Sequence, residues 1–213
     1  MYTPPFNAVA DDGEIRAMVA AVGSAWLVTV GADGVPVATL LPIMWSGDTV
    51  VAHMARANPQ WTQIGPGTPA LLIVTGPQAY VSPSWYPAKA EHGKVVPTWN
   101  YTAVHLSGTV QVHDEPEWIR AAVTDLTDLH ERGRENRWQV SDAPSAYIDG
   151  QLRGIVGLEI SIHRVEGKAK LSQNRSDSDQ LGVIAGLQAE QPRPPAPTDG
   201  GAAIAQSMHA LRA

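Results

Sequence analysis

The chain contains no cysteine in its 213 residues. Disulfides, thiolate metal sites and a cysteine nucleophile are therefore excluded, and the absence fits a reducing compartment. Phenylalanine is almost missing too, with one residue against seven Trp and five Tyr. Trp and Tyr carry a polar handle that Phe lacks, so this bias favours ligand or subunit interfaces over a purely dry core. Positive charge is in deficit: 15 Lys and Arg face 21 Asp and Glu, for a formal net charge of −6. That argues against a generic nucleic-acid-binding surface. The longest basic cluster, Arg132-Gly-Arg134 with Arg137, is broken by Glu135. No apolar run approaches the roughly 20 residues of a membrane helix. The first residues, Met1 to Asp12, lack the basic and apolar regions of a secretory signal. The expectation is a soluble cytoplasmic protein.

Familiar catalytic patterns are absent as well. No Gly-x-Gly-x-x-Gly or P-loop occurs, which removes the dinucleotide fold and the phosphate-cradling glycine loop. No His-Glu-x-x-His or Gly-x-Ser-x-Gly occurs, so zinc protease and serine hydrolase chemistry have no support. His53, His105, His113 and His163 fall in or near strand-like segments. Scattered histidines of this kind satisfy local hydrogen bonds more often than they hold metal, and no metal site is expected.

What is present reads as a series of strands with a few helices. Asp11 can cap a helix whose apolar positions are Ile15, Met18, Val19 and Val22, with Glu14 completing a capping box and Gly23 as the stop. Ala25–Val30 and Val35–Trp45 predict a β-hairpin across the Asp33-Gly34 turn. A third strand runs to about Met54, Asn58–Ile64 reads as a short helix, and Pro69–Thr75 as a fourth strand. Residues 76–97, with prolines at 77, 83, 87 and 97, read as a long ordered loop. Val104–Val112 is a further strand. A helix then starts at Pro116 with Trp118, Ala122, Leu126 and Leu129 on its apolar face. Tyr147–Leu152 leads into a long strand, clean in its alternation only over Leu158–Ile162. Ser176 caps a helix bearing Leu181, Ile184 and Leu187. The expected organisation is one domain over residues 1–190, a Pro-rich linker over 191–201 and a tail over 202–213 with a short helix. The fold class is mainly β with peripheral helices, a β-barrel.

Four blocks combine aromatic and polar residues in a way that neither turns nor cores require: His53-Met-Ala-Arg-Ala-Asn-Pro-Gln-Trp61, Ala79-Tyr-Val-Ser-Pro-Ser-Trp-Tyr-Pro87, Val96-Pro-Thr-Trp-Asn-Tyr101 with Ala103-Val-His105, and Lys170-Leu-Ser-Gln-Asn-Arg175. Such combinations suit a flat aromatic ligand with a charged end. A strand ending in a turn that carries Arg56 and Asn58 suits the charged end, since a guanidinium fork and an amide can converge on one phosphate. Arg175 either faces a phosphate or closes an interface ion pair. Lys170 reads as a solvated lysine, and Trp85 as a residue that pins the Pro-rich loop.

Together with Leu152-Arg-Gly-Ile-Val-Gly-Leu-Glu-Ile160, these blocks resemble the PaiB-type family of FMN-binding negative transcriptional regulators, over about Tyr2 to Leu187. The resemblance implies a split β-barrel of the FMN-binding type and a homodimer with FMN at the subunit interface. It assigns Arg56 to the FMN phosphate with Asn58 and Gln60 nearby, and makes His53 and Met54 flavin contacts. The strand holding Thr39 and Leu40 would offer its backbone to the isoalloxazine edge. Trp99 and Asn100 would come from the second subunit or the opposite wall to stack on and hydrogen-bond the flavin, and Gln173 and Arg175, before a helix start, are further cofactor-binding candidates. His53 as a satisfied buried histidine and Leu40 with Leu41 as plain core remain open alternatives. So do two other functions, a flavin-dependent oxidoreductase acting on a small molecule and a haem-binding or haem-degrading protein. The family label allows direct DNA binding, but the charge does not support it.

Overall fold

The computed structural model describes residues 1–189 and 200–212. Its strands are β1 (Ala8–Val9), β2 (Ser24–Val30), β3 (Pro36–Pro42), β4 (Met44–Ser46), β5 (Thr49–Ala55), β6 (Thr68–Val81), β7 (Thr98–His113) and β8 (Ile155–Lys170). Its helices are α1 (Asp12–Val22), α2 (Ala88–Glu91), α3 (Pro116–Glu131), α4 (Ser145–Leu152), α5 (Asp177–Ala189) and α6 (Gly200–Ala210). The strands form one sheet in the order β3-β2-β6-β7-β8-β5-β4, with β1 paired to β8.

The chain divides into two compact units. The first comprises Met1–Ile15, Thr75–Val104 and Glu166–Ala213; the second comprises Arg16–Val74 and His105–Val165. The three long strands β6, β7 and β8 each contribute residues to both units. The expected single domain over 1–190 thus contains two centres of packing, and the tail belongs to the first of them. The proposed linker lies mostly outside the described residues, and its last two positions, Gly200 and Gly201, already belong to α6.

In the first unit, Val183, Ile184 and Leu187 of α5 pack with Ile204, Ala205 and Met208 of α6 and with Val81, Tyr86 and Leu171. Leu181, expected on that apolar face, is exposed instead. Ser176 caps α5 as expected, its hydroxyl accepting from the Asp179 amide at 3.2 Å. Residues 76–81 continue strand β6 instead of opening the loop. Pro77 lies beyond Leu71–Ile73, where β6 pairs with β2.

In the second unit, β2 and β3 form the expected hairpin, pairing Trp26 with Leu40, Val28 with Ala38 and Val30 with Pro36. The second hairpin arm ends at Pro42, and Met44–Ser46 is a separate strand that turns to pair with β5. Tyr147–Leu152, which carried no strand or helix signal of its own, lies in α4. The apolar face of α3 is Ile119, Ala122 and Leu126, and Ile119 with Ile148 and Leu152 of α4 forms a small core.

α3 seats itself on the sheet through one glycine. Gly157 of β8 pairs with His53 of β5, and a Cβ at Gly157 would run into the Trp118 ring. Trp118 in turn stacks on His113 with ring centroids 4.1 Å apart and 5° between planes. Gly157→Ala should therefore lower stability by about 1–3 kcal/mol, the usual cost of overpacking a filled site. A thermal melt of the variant checks this, and an unchanged midpoint would show that α3 lifts off freely.

Candidate functional site

The candidate residues separate by unit. Thr39, Leu40, His53, Met54, Arg56, Asn58 and Gln60 lie in the second; Trp99, Asn100, Gln173 and Arg175 lie in the first.

In the second unit the hairpin alternation decides which side chains face outward. Leu27, Thr29 and Leu41 are buried, whereas Trp26 and Leu40 are 44% and 51% exposed. The outer face of the hairpin therefore carries Trp26, Val28, Val30, Pro36, Ala38 and Leu40, all apolar. Ile73 and Leu71 of β6 continue it, paired with Trp26 and Val28. β3 stands at the end of the sheet and pairs with β2 alone among the described residues. One side of its backbone is thus open to other hydrogen-bonding groups. Leu40 is not core, and Leu41 is.

Behind that edge lies a polar hub. The Gln60 side chain, 1% exposed, donates to the carbonyls of Leu27 and Val37, both at 3.2 Å, and to the Thr29 hydroxyl at 3.0 Å. Its carbonyl accepts from Thr39 Oγ1 at 2.5 Å. Asn58 completes the hub: Nδ2 donates to Thr39 Oγ1 at 2.9 Å, and Oδ1 accepts from the Gln60 amide at 2.9 Å. That second bond caps the single 3-10 turn Pro59–Gln63, the short helix expected there. The hub fixes the phosphate-turn candidate to the flavin-edge candidate. Gln60 and Thr39 act from inside, while Leu40 and the β3 backbone face out.

Arg56 ends β5 and ties three segments together. Nε donates to the Arg153 carbonyl at 3.0 Å, Nη2 to the Ile155 carbonyl at 3.0 Å, and both terminal nitrogens contact the Asp114 carboxylate. Asp114 accordingly holds the guanidinium more firmly protonated than usual, and Arg56 holds the Asp114 carboxyl below its ordinary range. The Trp61 indole N–H donates to the Arg56 carbonyl at 2.9 Å. A cavity of about 600 Å³ opens beside this pair, lined by Arg56, Asp114, Asp149 and Arg153 with Pro116, Ile119 and Leu152. Met54 is buried in the core. His53, on the opposite face, has a buried Nδ1 with no hydrogen-bond partner among the described residues, and burial lowers its affinity for a proton. The neutral ring thus holds a buried polar atom that its surroundings leave unsatisfied.

In the first unit, Asn100 is fully buried and holds the end of β8. Its Oδ1 accepts from the Ser172 hydroxyl at 3.1 Å, where Ser172 adopts the left-handed conformation with φ 66°. Gln173 folds back on the same end, Nε2 donating to the Ala169 carbonyl at 2.5 Å and Oε1 accepting from the Leu171 amide at 2.8 Å. Trp99 donates to Gln78 at 3.0 Å and lies edge-on to Tyr80. Trp85 lies flat on α5, where Gly186 leaves no Cβ to meet its ring, so it does pin the Pro-rich loop. The Arg175 guanidinium sits 4.7 Å from the centre of the Tyr86 ring. Lys170 is not a solvated lysine: its ammonium donates to Thr98 Oγ1 and the Trp99 carbonyl, both at 2.6 Å. Burial first, then Lys168 and Arg175, lower its affinity for a proton.

Several of these residues escape sequence reasoning. Asp114 gives no local sign that it reaches Arg56, 58 positions away. Trp26 was legible only as part of a strand. Lys168 could have been found, because strand alternation puts positions 168 and 170 on one face.

The eight-stranded antiparallel sheet with helices at its margins is a split β-barrel of the flavin-binding type. It is similar to the FAD and heme binding protein of Mycobacterium smegmatis, at 19% identity and TM-score 0.61 over 82% of this chain and 78% of that one. It is also similar to the flavocytochrome Anf3 of Azotobacter vinelandii, at 16% identity and TM-score 0.58 over 83% and 75%. At such identities the likeness concerns the fold alone. In sequence, the family model described as "Putative FMN-binding domain" matches residues 1–164. The chain is 32% identical over 195 residues to the "Protease synthase and sporulation protein PAI 2" of Bacillus subtilis, covering 90% of this chain and 91% of that protein. The chain belongs to this FMN-binding, PaiB-type family.

The residues present fit a flavin. A flat, two-faced ring with a donor and acceptor edge matches an open strand edge bordered by Trp26 and Leu40. Because Gln60 anchors both halves of that arrangement, Gln60→Leu should cost about 1–3 kcal/mol in stability by leaving its carbonyl and hydroxyl partners buried and unpaired. Denaturant titration measures it; a neutral outcome would mean that water replaces the amide.

Proposed function

We propose that the protein is a homodimeric, cytoplasmic FMN-binding protein whose flavin lies at the subunit interface. One chain supplies β3, with Thr39 behind and Leu40 in front, the His53 strand end and the Arg56–Gln60 turn; Met54, expected as a flavin contact, faces the core instead. The partner supplies the block around Trp99 and Asn100 together with Gln173 and Arg175. The observation that carries this reading is the outer face of β2, β3 and the adjoining half of β6, apolar from Trp26 and Leu40 to Val30 and Pro36, beside an open strand edge. A soluble monomer rarely leaves such a face uncovered, and a second copy with a flat cofactor covers it. When bound, FMN supplies electron and hydride transfer. Asn100 and Gln173 contribute by fixing the end of β8, so that Arg175 is presented from a rigid position.

Arg56 can reach the FMN phosphate only by exchanging partners. Asp114, largely exposed at its carboxylate, is the group that a phosphate dianion would displace, while the two backbone carbonyls hold the guanidinium in place. Arg56→Ala should weaken FMN binding tenfold or more, and Asp114→Asn should tighten it by removing the competitor. Fluorescence titration with FMN distinguishes the outcomes: unchanged affinity in both variants moves the phosphate away from this turn.

The dimer reading has its own test. Leu40→Asp places a charge on the apolar face without touching the core. Sedimentation should show monomers, and FMN affinity should fall with them. A folded monomer that still retains FMN refutes the shared site. The absorption spectrum of the purified protein separates a flavoprotein from a haem protein directly.

Direct contact with DNA is not part of this proposal. Arg134 and Arg137, from the longest basic cluster, are paired with Glu131 and Asp128 of α3. Arg120 is paired with Asp149. A regulatory effect of the PaiB kind would then act through the flavin or its chemistry.

A further inference from the structure

Three cations of the first unit line one small cleft with no carboxylate among its walls. Lys168, Lys170 and Arg175 surround a space of about 220 Å³, bounded also by Asn7, Ser172 and Asn174. Lys168 is 6% exposed. Its ammonium donates once, to the Tyr2 carbonyl at 2.9 Å, and lies 5.0 Å from the centre of the Tyr101 ring. Lys170 donates only to neutral oxygens, those of Thr98 and Trp99. The acid nearest along the strand, Glu166, is bound to the terminal ammonium of Met1 at 2.8 Å. Among the described residues, none of the three cations is in an ion pair. Buried charge of one sign without a counterion is costly, and each like-charged neighbour adds to the cost. Such a cluster is expected where an anion supplies the missing charge.

We propose that this cleft binds the phosphate or carboxylate group of a small ligand other than FMN. Lys168 and Lys170 project from alternate positions of β8 and supply point charges with spare donors. The Asn7, Ser172 and Asn174 side chains offer neutral hydrogen-bonding groups around the same space. At roughly 30 Å³ per water molecule, the volume takes an anionic head and a short stem, and it falls below the range that holds a drug-sized molecule. A whole flavin nucleotide does not fit. The site stands on Lys168 and Lys170; Arg175 borders it and the proposed flavin site alike, and FMN, whose phosphate is assigned to the Arg56 turn, enters only as a control.

Calorimetric titration of the full-length protein with inorganic phosphate, and separately with acetate, tests it with and without FMN loaded. Saturable binding by one of these anions is expected in both forms, with FMN retained throughout. Lys170→Gln should weaken that binding about 10- to 150-fold, the loss of one charge-assisted contact. Lys168→Gln should act in the same direction, with FMN affinity unchanged in either variant. Circular dichroism and a thermal melt in anion-free buffer confirm that the variants fold. Three results overturn the proposal: no saturable anion binding in either form, wild-type anion affinity in both folded variants, or release of FMN by phosphate. The last would show that the cleft seats the phosphate of FMN itself, and is distinguishable from failure of the Arg56 assignment by the Arg56→Ala titration.

Discussion

A primary amide has two donors and a carbonyl with two lone pairs, and it can be buried only where the surroundings meet all of them. Gln60 is such a case, and much of the second unit is arranged around it. Its amide bridges the two arms of the β2–β3 hairpin through the carbonyls of Leu27 and Val37. Its own backbone N–H is held by Asn58, which also reaches Thr39. The hairpin and the turn after β5 are thereby fixed to one another without a continuous ladder between them. A hydrophobic residue at the same place could fill the volume but could not set the register. The strand edge and the Arg56 turn keep their spacing because one buried side chain reads both backbones.

The cations of the two units are treated in opposite ways. Arg56 is surrounded by acceptors: a carboxylate, two carbonyls and, at 5.8 Å, the face of Trp61. Its charge is neutralised where it stands, by an aspartate that sits in solvent and gives way at little cost. Lys168 and Lys170 are surrounded by neutral oxygens and aromatic faces, which satisfy donors but return no charge. A guanidinium with a displaceable partner and a pair of ammoniums with none are both consistent with anion recognition. They differ in how much each gains from its ligand. The first exchanges one counterion for another, whereas the second acquires its first.

Much of the architecture was legible because it depends on local patterns. The capping residues Asp11 and Ser176, the Asp33-Gly34 hairpin turn and the Asn58 cap all follow from short-range hydrogen bonding. Boundaries failed where a strand outruns its apolar signal. β6 continues through Gly76 and Pro77, and β7 begins six residues before the apolar run at Val104, because pairing with neighbouring strands overrides composition. α4 was missed since a helix of eight residues has little periodicity to show. The motif blocks were legible as blocks, but which of their residues face outward was not. The motif block around Arg56 mixes residues facing out with residues such as Gln60 and Met54 that face in. Only the strand register, which is a long-range property, separates them. The Arg56–Asp114 pair and the Asn100–Ser172 bond are likewise long-range and leave no trace in the spacing.

The same register explains how an acidic chain gathers three cations in one cleft. Long-range attraction to a polyanion needs basic residues spread over a surface and free of local acids. Here Arg120, Arg134 and Arg137 are each neutralised by a carboxylate on or beside α3. Lys168 is almost wholly enclosed and Lys170 partly so. A charge enclosed in this way acts over a few ångströms, on a group small enough to enter. What these cations would select is therefore size as much as sign, and a duplex backbone has the sign but not the size.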